Sequence, residues 1–153
     1  MSGAAVLVVG ATGILAPLAA TLARDGGEVV GVSRGGGRDT IAVDARETKA
    51  LEAALRGLEW DEAVVYGPAV ARDSLKWIRR STPGRCVLVR TTASADPARG
   101  PLAVPPDTLQ LGWTAEAHPR WHTPEEVSAA ALEVLRDGRS RTLGTVRPWS
   151  DRP

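Results

Sequence analysis

The residues best suited to chemistry lie in the first fifty positions. Val8-Val9-Gly10-Ala11-Thr12-Gly13-Ile14-Leu15-Ala16 follows a short β-branched run and opens an apolar series at helical spacing. The order is strand, G-x-x-G-x-x-A, helix. In that order Gly10 permits a tight turn out of the strand, Gly13 lets backbone approach a pyrophosphate, and Ala16 allows close helix–strand packing. The N–H groups and positive dipole end of the helix then face phosphate. A glycine triplet alone says little. Its position inside a βαβ unit of about thirty residues is what points to a dinucleotide. The plain alternative is an ordinary Gly-rich strand-to-helix turn.

The next strand, Val29-Val30-Gly31-Val32-Ser33, ends at Arg34. A site selective for NAD usually offers a carboxylate there to the adenine-ribose 2′-hydroxyl. No Asp or Glu occurs from Val29 to Arg38. Arg34 and Arg38 instead flank a flexible Gly35-Gly36-Gly37. Guanidinium groups suit a 2′-phosphate through paired, charge-assisted hydrogen bonds. NADP(H) is therefore favoured over NAD(H), with Arg34 the stronger ligand, against the alternative of a solvated arginine in a turn. Asp44, after Thr40-Ile41-Ala42-Val43, has two readings: an acceptor for the adenine amino group, or the N-cap of a helix beginning near Glu47. Gly67, in Tyr66-Gly67-Pro68-Ala69, either lets backbone lie against the cofactor or forms a simple turn.

Further along, His118-Pro119-Arg120-Trp121-His122 is the most unusual cluster. A histidine there can act as a general acid near neutral pH, and Arg120 can bind an anion. The bland reading is a packed loop with Trp121 as anchor and both imidazoles in water. The two histidines have i, i+4 spacing, but Pro119 and Pro124 oppose a helix, and no third ligand is near, so no metal is expected. Thr91 and Thr92, at a strand end, can hydrogen-bond a substrate carbonyl. Cys86 reads as a buried structural thiol. Arg79-Arg80 reads as a solvated helix end.

The elements that position these residues follow from periodicity. Strands are expected at Ala5–Val9, Glu28–Ser33, Thr40–Val43, Ala63–Tyr66, Arg85–Thr91, Thr108–Gly112 and Arg141–Arg147. Helices are expected at Ile14–Arg24, Glu47–Arg56, Val70–Arg80 and Pro124–Arg136. Thr123, Pro124 and Glu126 form a helix-start signal with a capping box, and Asp137-Gly138 a stop. On that last helix Val127, Ala131, Leu132 and Leu135 form a core-facing stripe. Strands alternating with helices predict one α/β domain over residues 1–153: a doubly wound, mainly parallel sheet of about seven strands with helices on both faces.

The chain has 153 residues, 43% of them hydrophobic and 24% charged, with a formal net charge of +1. That length supports one core. Near-neutral charge gives no reason to expect nucleic acid as a partner. A single cysteine excludes an internal disulfide. Gly3 to Ala23 carries no charge, yet Gly10, Gly13 and Pro17 interrupt it and no basic segment precedes it. A buried strand and helix explain it better than a membrane span or signal peptide.

The Gly10-Ala11-Thr12-Gly13 turn, Arg34 and Asp44 together resemble the short-chain dehydrogenase/reductase superfamily, most closely its extended and atypical branches. The resemblance covers most of the chain but is specific only in the first fifty residues. It implies a Rossmann fold, a nicotinamide cofactor, and dimers or tetramers. It would place Gly10, Thr12, Gly13 and Ile14 on the pyrophosphate, Arg34 on the 2′-phosphate and Asp44 on adenine. Thr91 and Thr92 would take the place of the catalytic serine region, and Trp113-Thr114 would flank the nicotinamide. It also implies a homodimer through residues 124–149, which would cover Trp149.

The family's Y-x-x-x-K motif is absent. Tyr66 is the sole tyrosine, it precedes Thr91, and four residues on is Val70; neither Lys49 nor Lys76 supplies the lysine. The helix that would carry the motif is replaced by the Pro-rich stretch 93–107. The usual tyrosine acid/base mechanism therefore cannot run from this chain. The expectation is a cytoplasmic NADP(H)-binding protein. It is either an oxidoreductase on a small carbonyl or alcohol, with Thr92, His118 or His122 polarising the substrate, or a non-catalytic sensor or accessory subunit.

Overall fold

The computed structural model describes residues 4–153. Seven strands form one sheet: β1 (Ala5–Val9), β2 (Glu28–Ser33), β3 (Thr40–Ala42), β4 (Glu62–Tyr66), β5 (Cys86–Arg90), β6 (Thr108–Leu111) and β7 (Arg141–Leu143). Their order is β3-β2-β1-β4-β5-β6-β7, and every neighbouring pair is parallel. The chain winds outward from β1 in one direction to β3, then returns to β4 and winds the other way. That reversal opens a crevice beyond the C-terminal ends of β1 and β4, where ligands bind in such sheets.

Residue alternation in the strands separates two cores. Val6, Val8, Val64, Val87, Val89, Leu109 and Leu111 face α1 (Ala16–Arg24) and α4 (Pro124–Asp137). Leu7, Val9, Val32, Ala63 and Val65 face α2 (Thr48–Ala54) and α3 (Arg72–Ser81). α4 has both halves of its capping box at Thr123 and Glu126, and a left-handed Gly138 ends it. Its buried face is wider than the expected stripe. Ser128, Ala130 and Val134 join Val127, Ala131 and Leu135, while Leu132 is only partly buried.

Several element ends differ from the sequence expectation. α1 starts at Ala16, not Ile14. Starting at Ile14 would place Pro17 fourth, where an N–H must donate, whereas at the second position no donor is needed. α3 starts at Arg72 rather than Val70, because Gly67–Ala69 already forms a separate 3-10 turn. β7 stops at Leu143, where Gly144 turns the chain.

Two crossovers lack an α-helix. β2 reaches parallel β3 in six residues, and Gly35-Gly36-Gly37 is a built turn rather than a flexible loop. Gly36 and Gly37 have φ of 71° and 149°, and a Cβ on Gly36 would lie 2.9 Å from that of Ala42. The Ser33 hydroxyl donates to the Gly36 carbonyl at 2.9 Å. β5 reaches β6 through residues 91–107, which hold only short 3-10 turns at Thr92–Ala95 and Pro97–Arg99. Pro97, Pro101, Pro105 and Pro106 suppress an α-helix there. The sheet face left without a helix carries buried Thr108 and Gln110 in place of apolar residues.

Candidate functional site

Three adjoining clefts run along the C-terminal edge of the sheet. The first, about 300 Å³, lies at the strand reversal. Gly10, Thr12, Gly13, Arg34, Asp44, Arg46, Pro68 and Ala69 are among its lining residues. Gly10 adopts φ 99°, and a Cβ there would meet the Tyr66 Cβ at 3.1 Å, so the turn needs glycine for both conformation and space. α1 has no side-chain cap. Among the described residues, the N–H groups of Thr12, Ile14 and Leu15 make no backbone hydrogen bond. Of these, Thr12 lines the first cleft with Gly10 and Gly13, and a free donor just before a helix start beside an open cleft fits a phosphate group.

Arg34 lines this cleft; Arg38 does not, and is exposed. Asp44 also lines it, but its carboxylate is engaged. Arg46 grips both oxygens, Nε to Oδ1 at 3.1 Å and Nη2 to Oδ2 at 3.0 Å, and its backbone N–H donates to Oδ1 at 3.0 Å. These bonds hold the Asp44 pKa down at about 2, with a smaller contribution from Arg34. The N-cap reading of Asp44 fails, because Glu47 is the N-cap of α2. Arg46 was missed from sequence. Its signal was the Asp-x-Arg spacing after a strand, which an Asx turn folds into a fork.

The second cleft, about 330 Å³, lies between α3 and the helix-free crossover, and Gly67, Arg72, Arg90, Thr91, Ser94 and Arg99 help line it. Gly67 therefore sits beside this cleft and not in the first. A Cβ there would lie 3.0 Å from the Val89 carbonyl oxygen, so close packing on β5 explains the glycine. Arg90 donates from Nε and Nη2 to Gln110 Oε1 at 3.0 and 2.8 Å, and from Nη2 to the Ala103 carbonyl at 2.9 Å. Burial pushes its pKa down. Gln110 Nε2 in turn donates to the carbonyls of Thr91 and Leu111, each at 2.9 Å.

The third cleft, about 280 Å³, is mostly apolar, lined by Ile14, Thr91, Thr92, Gly112, Trp121 and His122 among others. Ile14 thus sits beyond the turn, one cleft away from the other glycine-loop residues. The two histidines separate: His118 is exposed and outside the cleft, whereas the His122 side chain is 7% exposed. Both His122 ring nitrogens are buried without a hydrogen-bond partner, and Nδ1 stands 3.7 Å from Glu126 Oε2, too far to bond. The Thr92 hydroxyl donates to the Leu111 carbonyl at 3.1 Å, so its proton is committed. Arg120 is committed to Glu126 at 2.8 Å, which holds the Glu126 pKa down at about 2. Trp113 and Thr114 are buried and do not line the cleft; Gly112 does. Trp113 packs edge-on against Trp121 and Trp149, leaving Trp149 half-buried within the chain. Cys86 is half-buried, and burial raises its thiol pKa. No group of three metal-ligating side chains occurs among the described residues, and no described helix is long and apolar enough to cross a membrane.

No family model matches the chain, and no curated protein matches it by sequence. Solved structures do match. The TT0495 protein from Thermus thermophilus is 16% identical with a TM-score of 0.67, over 94% of this chain and 98% of that one. A UDP-N-acetylglucosamine 4-epimerase from Bacillus cereus is 11% identical with a TM-score of 0.61, over 94% of this chain and 75% of that one. The protein lin1944 from Listeria innocua is 11% identical with a TM-score of 0.57, over 92% of this chain and 100% of that one. At these identities the likeness is one of fold, and that fold is Rossmann-like.

Proposed function

We propose that the chain binds NADP(H) along this edge and serves as an oxidoreductase on a small carbonyl or alcohol. The observation that carries the reading is the first cleft. The Gly10–Gly13 turn, with the Thr12 N–H free of any backbone partner, and Arg34 line one cavity at the strand reversal. The glycine turn would hold the pyrophosphate and Arg34 the 2′-phosphate. The Asp44–Arg46 fork would present an ion pair, not a free carboxylate, to adenine. The third cleft would take the nicotinamide end, whose chemistry when bound is hydride transfer. There His122 would be the proton donor to a substrate oxygen: its nitrogens have no partner in the protein, and because both are buried the ring would have to turn toward the cleft to reach one. Thr92 is less suited, since its proton is already given to Leu111.

A second reading is an NADP(H) sensor or accessory subunit without catalysis. It is favoured by the missing Tyr/Lys pair and by the engaged hydroxyl of Thr92. A homodimer is carried by the family resemblance alone, and a cytoplasmic location by the reading of the sequence.

The test is a calorimetric titration of wild type and Arg34→Ala with NADPH and NADH, followed by turnover with a panel of aldehydes and ketones. Losing one charge-assisted contact should weaken NADPH by about 1.5–3 kcal/mol and leave NADH nearly unchanged. Turnover that His122→Asn abolishes, with NADPH affinity intact, selects the reductase; NADPH binding without any turnover selects the sensor. Absence of binding by either nucleotide at millimolar concentration would sink both.

A further inference from the structure

Of this chain's charged side chains, those in the second cleft are the least explained. Arg72 comes from the first turn of α3, Arg90 from the end of β5, and Arg99 from the helix-free crossover; all three line one cavity. No carboxylate lines it with them. Four arginines elsewhere are paired with acids: Arg46 with Asp44, Arg85 with Asp107, Arg120 with Glu126, Arg141 with Asp137; Arg147, which has no acid, lies over the Trp149 ring. Arg72, Arg90 and Arg99 have no such partner among the described residues. The acids nearest in sequence lie elsewhere. Asp73 is exposed and does not line the cleft, and Asp96 Oδ1 accepts from the Ala98 N–H at 2.9 Å.

Arg90 is the informative member. Three of its hydrogen bonds go to neutral oxygens, which orient the guanidinium without cancelling its charge. Its Nη1 makes no hydrogen bond among the described residues. A half-buried cation held by a buried glutamine is costly unless an anion completes it. The other polar features of the cleft share one sign. α3, ten residues long, has Ala71 as its N-cap residue with no side-chain cap, and Ala71 lines the cavity, so the positive end of the helix faces the same space. The hydroxyl-bearing residues Thr91 and Ser94 complete the lining, and neither hydroxyl is bonded within the described chain.

We infer that this cleft is an oxyanion subsite for the phosphate or carboxylate of a small-molecule ligand, with Arg90 as its oriented anchor and Arg72 and Arg99 as flanking cations. It adjoins the first cleft through Pro68 and the third through Thr91 and Ala93. A substrate with its anionic group here has its remainder directed toward Thr91 and His122. As a statement of substrate class the inference rests on the reductase reading; as a binding site it does not.

The experiment uses the full chain and two probes, inorganic phosphate and malonate, added at constant ionic strength against chloride. Backbone amides and arginine Nε–H signals are followed by NMR. The expected result is saturable shifts at Ala71–Ser74, at Thr91–Ser94 and at Arg90 Nε. The double variant Arg72→Ala/Arg99→Ala should weaken them about ten-fold, one lost charge-assisted contact or more. Both replaced side chains are exposed and make no side-chain hydrogen bond, so an unchanged melting midpoint confirms that the variant folds. Tighter binding of phosphate marks a phosphoryl ligand, and tighter binding of malonate a carboxylate ligand. Shifts that never saturate, that fall only on Gly10–Leu15, or that survive the double variant unchanged overturn the inference. NADPH is titrated into a parallel sample. Anion shifts in the cleft without NADPH shifts at Gly10–Leu15 would keep the subsite and remove the reductase reading. NADPH shifts without anion shifts would do the reverse.

Discussion

The two wings of the sheet meet ligand space in opposite ways. On the β1–β2–β3 wing the cleft is shaped by backbone: a glycine turn, an uncapped helix start and a glycine-built return to β3. Its charged pair, Asp44 and Arg46, is neutral as a unit apart from the added Arg34. On the β5–β6 wing a helix is missing, and a side-chain network of Arg90 and Gln110 occupies the sheet face instead. Backbone geometry tolerates little change but suits a fixed chemical group. A side-chain network confines a charge that has no partner. On the proposed reading the first wing would hold a cofactor common to many proteins, and the second a ligand particular to this one.

Gln110→Leu should have the largest effect. It removes the acceptor of Arg90 and a donor to the Thr91 carbonyl, at a cost of about 3 kcal/mol. Urea unfolding would measure it, and a loss below about 0.5 kcal/mol would show that water substitutes freely and that the network is not a structural unit. Gly10→Ala comes next. The left-handed turn and the close Tyr66 Cβ should cost ~2 kcal/mol and also remove NADPH affinity. A stable variant that still binds NADPH would mean the turn does not form the cradle.

The smallest effect separates the wings by pH. The folded pKa of Asp44 lies near 2, below its unfolded value, so its contribution is complete above about pH 4 and fades as pH falls toward 2. Arg90 and Gln110 contain no acid. Asp44→Asn should therefore flatten part of the acid limb of the stability profile, whereas Gln110→Leu should lower the whole curve without changing its shape. Glu126 and Asp137, also held near 2 by arginines, keep the rest of the limb steep in both variants. Identical shapes for wild type and Asp44→Asn would break the comparison.

The sequence by itself determined the α/β architecture, the parallel sheet, the glycine turn and the capping box of α4. Each is a local pattern, a period of two or of 3.6, a cap, or a turn residue, and such patterns are visible in a short window. The element ends were also local, but they needed the rule that Pro17 cannot donate in a helix interior. Only the tertiary structure decided the rest. It committed Asp44 to Arg46 and Thr92 to Leu111. It separated His122 from His118 by burying one against α4 and leaving the other in solvent. It moved Gly67 away from the first cleft, and it gathered Arg72, Arg90 and Arg99 from three elements around one cavity. Those outcomes depend on which side chains meet across the sheet, and residues such as Arg90 and Gln110, twenty positions apart, acquire their roles only when parallel strands place them side by side.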